Sequence, residues 1–304
     1  MKSSAKTSAF IGEMQGFGIF SLENEFLRVS LVPELGAKII SLLNRRSGRE
    51  WMNYPNESMK LHRNSLGDEF TSSTLVGWDE CLPTIASCDW KDRHLPDHGE
   101  VWSMPWTIDQ HAFGRGRLNA SVNLSISPLK FKRGLFLNEN EIHLNYELEN
   151  LGGKPEEFLW AMHPLVSIKP GDTLELTPES LESIGNPAWI KSLAFEGGHL
   201  GCSKIFAGPI QNGRAAIKNS WSGDRLAFEW DTKINNMLGI WLTRGGWHGQ
   251  HHMALEPCNG HADSIAEAKM RGHCGIIQPN SRIQWHVTIR VESQNGHQNR
   301  KPSS

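Results

Sequence analysis

The stretch Arg282-Ile-Gln-Trp-His-Val-Thr-Ile-Arg-Val291 decides the fold class of this chain. Isoleucine, tryptophan and valine alternate in it with arginine, glutamine, histidine and threonine. A period of two places the apolar side chains on one face of a β-strand and the polar side chains on the other. The stretch therefore predicts a half-buried antiparallel strand, with one face in a core and one face toward solvent.

The same alternation recurs through the chain. It is found again in residues 26–32, 37–43, 118–126 and 142–148. Residues 44–48 and 138–140 carry the Asn and Gly residues typical of the turns that join antiparallel strands. Helix is scarce, and we predict one short helix from Asp263 to Arg271. The pattern predicts an all-β fold, a large antiparallel β-sandwich with very little helix.

The domain organisation follows from length and composition. The chain has 304 residues, of which 38% are hydrophobic, and its interior shows neither a Pro/Ser-rich linker nor a fixed-period repeat. We therefore predict a single domain over residues 16–292. Residues 1–15 and the polar tail 293–304 bury too little apolar area to offset the entropy of ordering, and we expect both to be disordered.

Charge and cysteine content exclude several classes of partner. The 31 basic and 33 acidic residues are interspersed, so we expect no nucleic-acid partner and no anionic membrane surface. No apolar run is long enough for a membrane helix or an export signal, which predicts a cytoplasmic protein. We expect a monomer or a homodimer. The five cysteines lack a C-x-x-C pair, and we expect reduced thiols. They are Cys81, Cys88, Cys202, Cys258 and Cys274.

Four segments break the alternation and place ionisable groups beside Gly, Pro and Trp: residues 77–83, 95–102, 159–165 and 254–259. A single histidine beside a tryptophan is more often a packed residue than a catalyst. His163 and Glu256, however, are each followed by a proline, which predicts strand ends that line a cleft. A histidine with a pKa of about 6.5 and a carboxylate with a pKa of about 4.3 can act as acid and base.

The order of these segments resembles that of the aldose 1-epimerase, or galactose mutarotase-like, family. The resemblance runs from about Phe17 to Val291. The quoted stretches, in chain order, are LENEFLRVSLVPELGAKIISLLNRRSGREWM (22–52), GWDECLPTI (77–85), LPDHGEVW (95–102), LWAMHPLVSI (159–168), LEPCN (255–259) and QPNSRIQWHVTIRV (278–291). Each motif is short, but their common order over most of the chain indicates homology.

The resemblance implies a galactose mutarotase-like supersandwich that binds a sugar across one concave sheet. It also implies a cofactor-independent, metal-free exchange of α and β anomers through ring opening and closure. Glu256 matches the family's catalytic glutamate, and His163 matches its catalytic histidine. His98 matches a second histidine near the ring oxygen, and Asp79 an acidic residue of the sugar-binding wall. By adjacency alone, Trp78 and Trp102 are expected to stack on the sugar ring.

One departure from the family pattern leaves the substrate open. The histidine motif of the galactose enzymes continues with an aromatic pair, whereas residues 164–166 here are Pro-Leu-Val. The chain is therefore closer to the less characterised relatives of those enzymes. A phosphorylated or sulfonated sugar would require a cation at one end of the cleft. The candidates are Arg28, Arg63, Arg93, Arg244 and Arg271.

Two alternatives compete with the epimerase hypothesis. A noncatalytic carbohydrate-binding protein could use the same fold and the same Trp, Asp and His surface without turnover. A metalloenzyme could use His248, His251, His252 and Glu256, which have the ligand chemistry of zinc or iron. Strand geometry weakens the metal hypothesis, because His252 and Glu256 share one face of a strand while His251 points to the other.

Overall fold

The computed structural model describes residues 6–54, 59–73, 75–191, 193, 201–247 and 249–293. Over these residues the chain is built mainly of strands. In chain order they are β1 (Ser8–Met14), β2 (Phe17–Glu23), β3 (Leu27–Val32), β4 (Lys38–Asn44), β5 (Trp78–Cys81), β6 (Cys88–Trp90), β7 (Arg93–Leu95), β8 (Thr107–Ile108), β9 (Arg117–Asn123), β10 (Leu129–Asn138), β11 (Glu141–Asn150), β12 (Glu156–Phe158), β13 (Ala161–Ser167), β14 (Asp172–Leu176), β15 (Gly201–Ala207), β16 (Gly213–Asn219), β17 (Arg225–Trp230), β18 (Met237–Arg244), β19 (His251–Cys258), β20 (Gly275–Ile277) and β21 (Arg282–Glu292).

Helix is confined to short segments in the described part of the chain. The α-helices are α1 (Gln110–Phe113), α2 (Pro178–Ser183) and α3 (Ile265–Met270), and the 3₁₀ turns are Pro33–Leu35, Phe70–Ser72 and Ala188–Lys191. The predicted short helix corresponds to α3, whose N-terminus is capped by the Ser264 side chain. None of the described helices combines the length and the apolar character needed to cross a lipid bilayer.

Two large antiparallel sheets form the sandwich. One has nine strands in the order β1-β2-β3-β4-β5-β13-β19-β18-β15, and the other has eight in the order β14-β16-β17-β21-β11-β10-β9-β8. The prediction of a large antiparallel β-sandwich with very little helix is confirmed. Strand β21, which the opening stretch predicted, lies between β17 and β11 with Trp285, Val287 and Ile289 buried.

The main hydrophobic core lies between the two sheets. It contains residues from both, from Leu22 to Val291, and includes the fully buried rings of Phe131, Tyr146 and Trp160. Buried positions alternate along β9, β10 and β11, because one face of the eight-stranded sheet packs on this core and the other meets solvent. The assignment of one domain to residues 16–292 stays a prediction.

The N-terminal end of the chain differs from the expectation of disorder. Of residues 1–15, Ser8–Met14 form β1, which pairs with β2 along its whole length. Most of its side chains are exposed, so its place in the sheet depends on the backbone hydrogen bonds to β2. Residues 1–5 and 294–304, where disorder was also expected, lie outside the described residues.

The prediction that Pro164 and Pro257 end their strands is wrong. Both β13 and β19 continue through the prolines that were expected to end them, Pro164 and Pro257. A proline removes only one backbone donor, and Ala161–Cys258 and Leu165–Ala254 stay paired between the strands. His163 and Glu256 therefore lie within the sheet and not at its edge.

A buried ion pair connects the two sheets through the core. Arg133 of β10 donates from Nη1 to Oε1 of Glu80 on β5 at 2.9 Å, and from Nη2 to the carbonyl oxygen of Ala37. The Tyr146 hydroxyl donates to the same Glu80 oxygen at 3.0 Å, and Nε1 of Trp160 donates to Oε2 at 3.0 Å. Both oxygens of the buried carboxylate are therefore satisfied, which offsets its desolvation.

Removing one partner of this pair should destabilise the fold strongly. Glu80→Gln leaves the Arg133 guanidinium buried without its counter-charge, and we expect the free energy of unfolding to fall by about 3–5 kcal/mol. The double variant Glu80→Leu/Arg133→Met should recover only part of that loss, because it removes the unpaired charge but leaves the Tyr146 hydroxyl and Nε1 of Trp160 without their acceptor. The measurement is urea unfolding followed by tryptophan fluorescence.

The matched control is Glu147→Gln, because Glu147 pairs with Lys132 on the solvent face of the eight-stranded sheet that carries Arg133. That change should cost less than about 1 kcal/mol. Equal losses for Glu80→Gln and Glu147→Gln would contradict the role assigned to the buried pair.

Candidate active site

Three ionisable side chains form a row across neighbouring strands of the nine-stranded sheet. Asp79 of β5 is the cross-strand partner of His163 on β13, and the register of β13 with β19 places Glu256 opposite His163. Trp78 and Met162, which precede Asp79 and His163 along their strands, pack in the core between the sheets. The row therefore lies on the outer face of this sheet, and all three side chains are buried there.

Glu256 approaches two basic side chains through different oxygens. Its Oε1 lies 3.7 Å from Nε2 of His163, and its Oε2 lies 3.0 Å from Nζ of Lys204 on β15. The same Nζ lies 2.8 Å from Oδ1 of Asp263. Within the described residues, neither Glu256 oxygen receives a hydrogen bond of good geometry, so its contact with Lys204 is an ion pair. Oε1 lacks even such a contact with a lysine or arginine, and is an unsatisfied buried acceptor beside His163.

The electrostatics of the row shift both central groups toward their neutral forms. Burial raises the pKa of Glu256, and the Lys204 charge opposes that rise. Burial lowers the pKa of His163 well below its usual value, with the charges of His98 and Lys204 adding to the shift. Because the two groups interact, they titrate as a pair and not independently. Their imidazole and carboxyl groups can exchange roles as proton donor and acceptor.

His98 is held over the row by the loop between β7 and β8. Its backbone has a φ of +57°, and its Nδ1 lies 2.9 Å from Oδ1 of Asp97. Its ring stacks on Phe70 with centroids 4.0 Å apart and lies 5.0 Å from the His163 ring in a perpendicular arrangement. The Asp97 contact occupies Nδ1 and leaves Nε2 as the nitrogen available to a ligand.

Asp79 is engaged by a lysine beneath the site. Nζ of Lys38 on β4 donates to Oδ2 of Asp79 and, at 3.3 Å, to the carbonyl oxygen of Val76. Burial raises the pKa of Asp79, and Lys38 opposes the shift. Neither residue lines the cavity described below. Asp79 thus lies next to His163 but behind the cavity wall.

The two tryptophans expected to stack on a ligand lie elsewhere. The Trp78 ring is in the core between the sheets, because it alternates with Asp79 along β5. Trp102 is buried behind Phe70 and His98, and its Nε1 donates to the Asp97 carbonyl oxygen at 2.8 Å. Neither ring lines the cavity, which corrects the sequence-based expectation.

A cavity of about 200 Å³ opens above His163. The described residues that line it are Phe70, Thr71, Leu75, Ile85, Ala86, Asp97, His98, His163, Lys204, Trp241, Trp247 and Asp263. Its aromatic wall is Trp241 and Trp247, with centroids 5.9 Å apart. The sequence analysis missed this wall and Lys204, because no motif marks them. The volume is below the roughly 300–1,000 Å³ of drug-sized sites and suits a single sugar ring.

A glycine makes room for the Glu256 carboxylate. Gly239 of β18 is its cross-strand partner, and a Cβ there would lie 2.7 Å from Oε2 of Glu256. That separation is shorter than van der Waals contact, so an alanine would have to displace the carboxylate. Because position 239 has no side chain, the Glu256 carboxylate can occupy this place beside β18.

The metal hypothesis finds no support in the described residues. His251 is exposed, whereas the neighbouring His252 is buried on the opposite face of β19. His248 lies outside the described residues. In the part of the chain that the structure describes, no group of three or more His, Cys, Asp or Glu side chains is arranged to hold a metal ion.

Comparisons with known proteins agree on the fold. The family model "Domain of unknown function (DUF5107)" matches residues 6–88. No curated protein shows significant similarity to the chain. A solved structure of a candidate aldose 1-epimerase from Klebsiella pneumoniae is similar over 96% of this chain and 84% of its own, with 14% identity and a TM-score of 0.73.

Two further solved structures are similar over nearly their whole length. A galactose mutarotase related enzyme from Lactobacillus acidophilus matches at 14% identity and a TM-score of 0.67, covering 90% of this chain and 97% of its own. A galactose mutarotase-like protein from Clostridium acetobutylicum matches at 13% identity and a TM-score of 0.67, covering 96% and 99%. The chain therefore has the galactose mutarotase-like fold.

His252 makes the stability of the protein depend on pH. Its side chain is fully buried against Trp241, and neither ring nitrogen has a hydrogen-bond partner among the described residues. Burial lowers the pKa of His252 to about 3. The unfolded chain therefore binds a proton at this residue below about pH 6.5, whereas the folded chain does so only near pH 3. Stability contributed by the neutral ring is lost as the pH falls through that window.

We expect His252→Leu to lose about 2 kcal/mol less stability between pH 7 and pH 5 than the parent chain. Urea unfolding at the two pH values measures the difference. The control is His286→Leu, which replaces an exposed histidine on the solvent face of β21 and should keep the parent's pH dependence. A pH dependence shared by the parent and both variants would show that His252 does not carry this effect.

Proposed function

We propose that this chain is a cofactor-independent aldose 1-epimerase that interconverts the α and β anomers of an uncharged monosaccharide. The observation that carries the proposal is the apposition of the buried Glu256 carboxylate and the buried His163 imidazole, 3.7 Å apart. His163 lines a cavity that suits one sugar ring, and Glu256 lies directly behind it. The galactose mutarotase-like fold supports it, because similar solved structures bear aldose 1-epimerase and galactose mutarotase names.

The reaction requires two proton transfers, one at each of the two oxygens that are bonded to C1. Oε1 of Glu256 takes the proton of the anomeric hydroxyl as the C1–O1 double bond forms and the bond from C1 to the ring oxygen breaks. Nε2 of His163 gives a proton to the departing ring oxygen. Rotation about C1–C2 and ring closure, with the two groups in exchanged roles, gives the other anomer. No electrons leave the sugar, so the cycle balances with these two groups alone.

The remaining cavity residues would orient the sugar. Trp241 presents an apolar wall to the face of a ring, and Nε2 of His98 is available to a hydroxyl. Asp79, the member of the row on β5, would position the His163 side chain from the neighbouring strand. This last role is indirect, because Asp79 does not line the cavity.

Replacing either proton-transfer residue should abolish the activity. We expect Glu256→Gln and His163→Asn each to lower kcat/KM for anomer exchange by about 10²–10⁴-fold, the usual contribution of acid–base catalysis. Polarimetry and NMR exchange spectroscopy over a panel of aldoses provide the measurement. Glu149→Gln, on the opposite sheet, is the control and should keep the parent rate. If the parent and Glu256→Gln accelerated exchange equally, or neither did for any sugar, carbohydrate binding without turnover would be the better assignment.

The charges in the cavity favour an uncharged sugar. Lys204 is the only Lys or Arg among the described lining residues, and Glu256 and Asp263 already oppose its charge. Asp97 adds a further carboxylate to the wall. The five arginines considered from the sequence are absent from the described lining. A phosphate or sulfonate would therefore meet carboxylates without a cation free to receive it.

A neutral aldose should therefore be processed better than its phosphate. We expect kcat/KM for a hexose to exceed that for its 6-phosphate by about 100-fold, because like charges brought together in a desolvated site cost several kcal/mol. The two compounds should be compared in the same NMR exchange assay. A faster reaction of the phosphorylated sugar would overturn the assignment of an uncharged substrate.

A further inference from the structure

We infer that Lys204 is a positioning residue that favours the carboxylate form of Glu256 and holds its Oε2, so that Oε1 faces His163. The inference deepens the proposed function and rests on it for its catalytic meaning. Its structural basis is independent of that function, because it lies in the contacts of one ammonium group with two carboxylates.

The Lys204 ammonium group is held between two fixed points. Its Nζ lies 3.0 Å from Oε2 of Glu256 and 2.8 Å from Oδ1 of Asp263. The backbone carbonyl oxygen of Asp263 accepts hydrogen bonds from the amides of Ile85 at 2.9 Å and Ala86 at 2.6 Å. The lysine thus bridges an anchored loop residue and the floor of the site, and does not swing freely in solvent.

The bridge makes the two Glu256 oxygens unequal. Lys204 engages Oε2, which also faces the space that Gly239 leaves open on β18. Oε1 lies on the other side, 3.7 Å from Nε2 of His163. The carboxylate therefore cannot turn its lysine-bound oxygen toward the cavity without breaking the ion pair. Lys204 thus leaves Oε1 as the oxygen beside His163, the member of the pair that lines the cavity.

The ionisation of Glu256 depends on the groups around it. From the packed elements, these are Cys81 of β5, His98, His163 of β13, Lys204 of β15, Cys258 of β19 and Asp263. Burial raises the pKa of Glu256, and Lys204 is the largest influence in the opposite direction. Burial opposes the charge of Lys204 itself, but Glu256 and Asp263 raise its pKa above the usual value, so it is protonated at neutral pH.

The same bridge decides where a proton on the Glu256–His163 pair resides. Burial, and then the charges of His98 and Lys204, lower the pKa of His163, whereas Lys204 meets Glu256 in a direct contact at 3.0 Å. Its charge therefore disfavours a proton on Glu256 more than a proton on His163. With the lysine present, the pair is shifted toward the form in which Glu256 is the carboxylate base. Without it, the carboxyl group would retain the proton.

The test is a titration of Glu256 in the full chain and in Lys204→Met. Selective ¹³C labelling of glutamate carboxyl groups, with Glu256→Gln to assign the resonance, follows the ionisation directly and requires no turnover. We expect the Glu256 midpoint to rise by about 1–3 pH units in Lys204→Met. Lys204→Arg keeps a cation in the same place and should restore a midpoint within about 1 pH unit of the parent.

The matched control is Lys132→Met, which removes a strand lysine from its carboxylate partner on the opposite sheet. It should leave the Glu256 midpoint unchanged. An unchanged Glu256 midpoint in a folded Lys204→Met variant would overturn the inference. If Lys204→Met does not fold, a Lys204→Gln variant gives the same comparison, because it also removes the charge and keeps a polar side chain.

A kinetic comparison separates this inference from the proposed function. In an active enzyme, Lys204→Met should lower kcat/KM at neutral pH by about 10–10³-fold, and the acid limb of the pH–rate profile should move up with the Glu256 midpoint. An inactive parent chain with a shifted midpoint would reject the epimerase and keep the electrostatic role of Lys204. An active parent with an unshifted midpoint would keep the epimerase and reject the role.

Discussion

The buried carboxylate of Glu80 is the constraint on which the site depends. Arg133 and Tyr146 donate to one of its oxygens and Trp160 to the other, so it is held from both sheets at once. Strand β5 has only four residues, and side chains alternate between its faces. Fixing Glu80 in the core therefore fixes Asp79 on the outer face, opposite His163. A slip of one residue would place Asp79 in the core and Glu80 in the site.

Two buried carboxylates outside the site differ from Glu256 in their hydrogen bonds. Glu80 has donors on both oxygens, and the Glu100 carboxylate accepts three backbone amide protons from residues 125–127. Neither oxygen of Glu256 receives a hydrogen bond of good geometry among the described residues. An unsatisfied buried group costs about 1–3 kcal/mol. Such a carboxylate, directly behind a histidine that lines a cavity, is typical of functional sites.

Alternation predicted β3, β4, β9, β11 and β21 and did not identify β10. β9, β11 and β21 each have one face in the core and one in solvent, so their alternation is visible in the sequence. β13 and β19 are buried on both faces and show no such period, and only the motifs around His163 and Glu256 pointed to them.

The errors have physical reasons as well. β1 was missed because backbone pairing, and not burial, holds it in the sheet. Lys204 was missed because β15 has one buried position, Ala207, and no alternation of buried and exposed residues, so its sequence does not indicate that it borders a cavity. Trp78 could have been placed correctly, because a residue adjacent to Asp79 in a strand must face the other way.

The separation of His163 and Glu256 is itself informative about proton transfer. At 3.7 Å, Nε2 and Oε1 are farther apart than the roughly 2.7–3.2 Å of a good hydrogen bond. A shorter contact would let the acid and the base neutralise each other directly. Lys204 contacts the carboxylate through Oε2, and the register of β13 and β19 fixes both backbones. In the proposed reaction, a substrate that presents two oxygens on one carbon completes the proton path between the two groups.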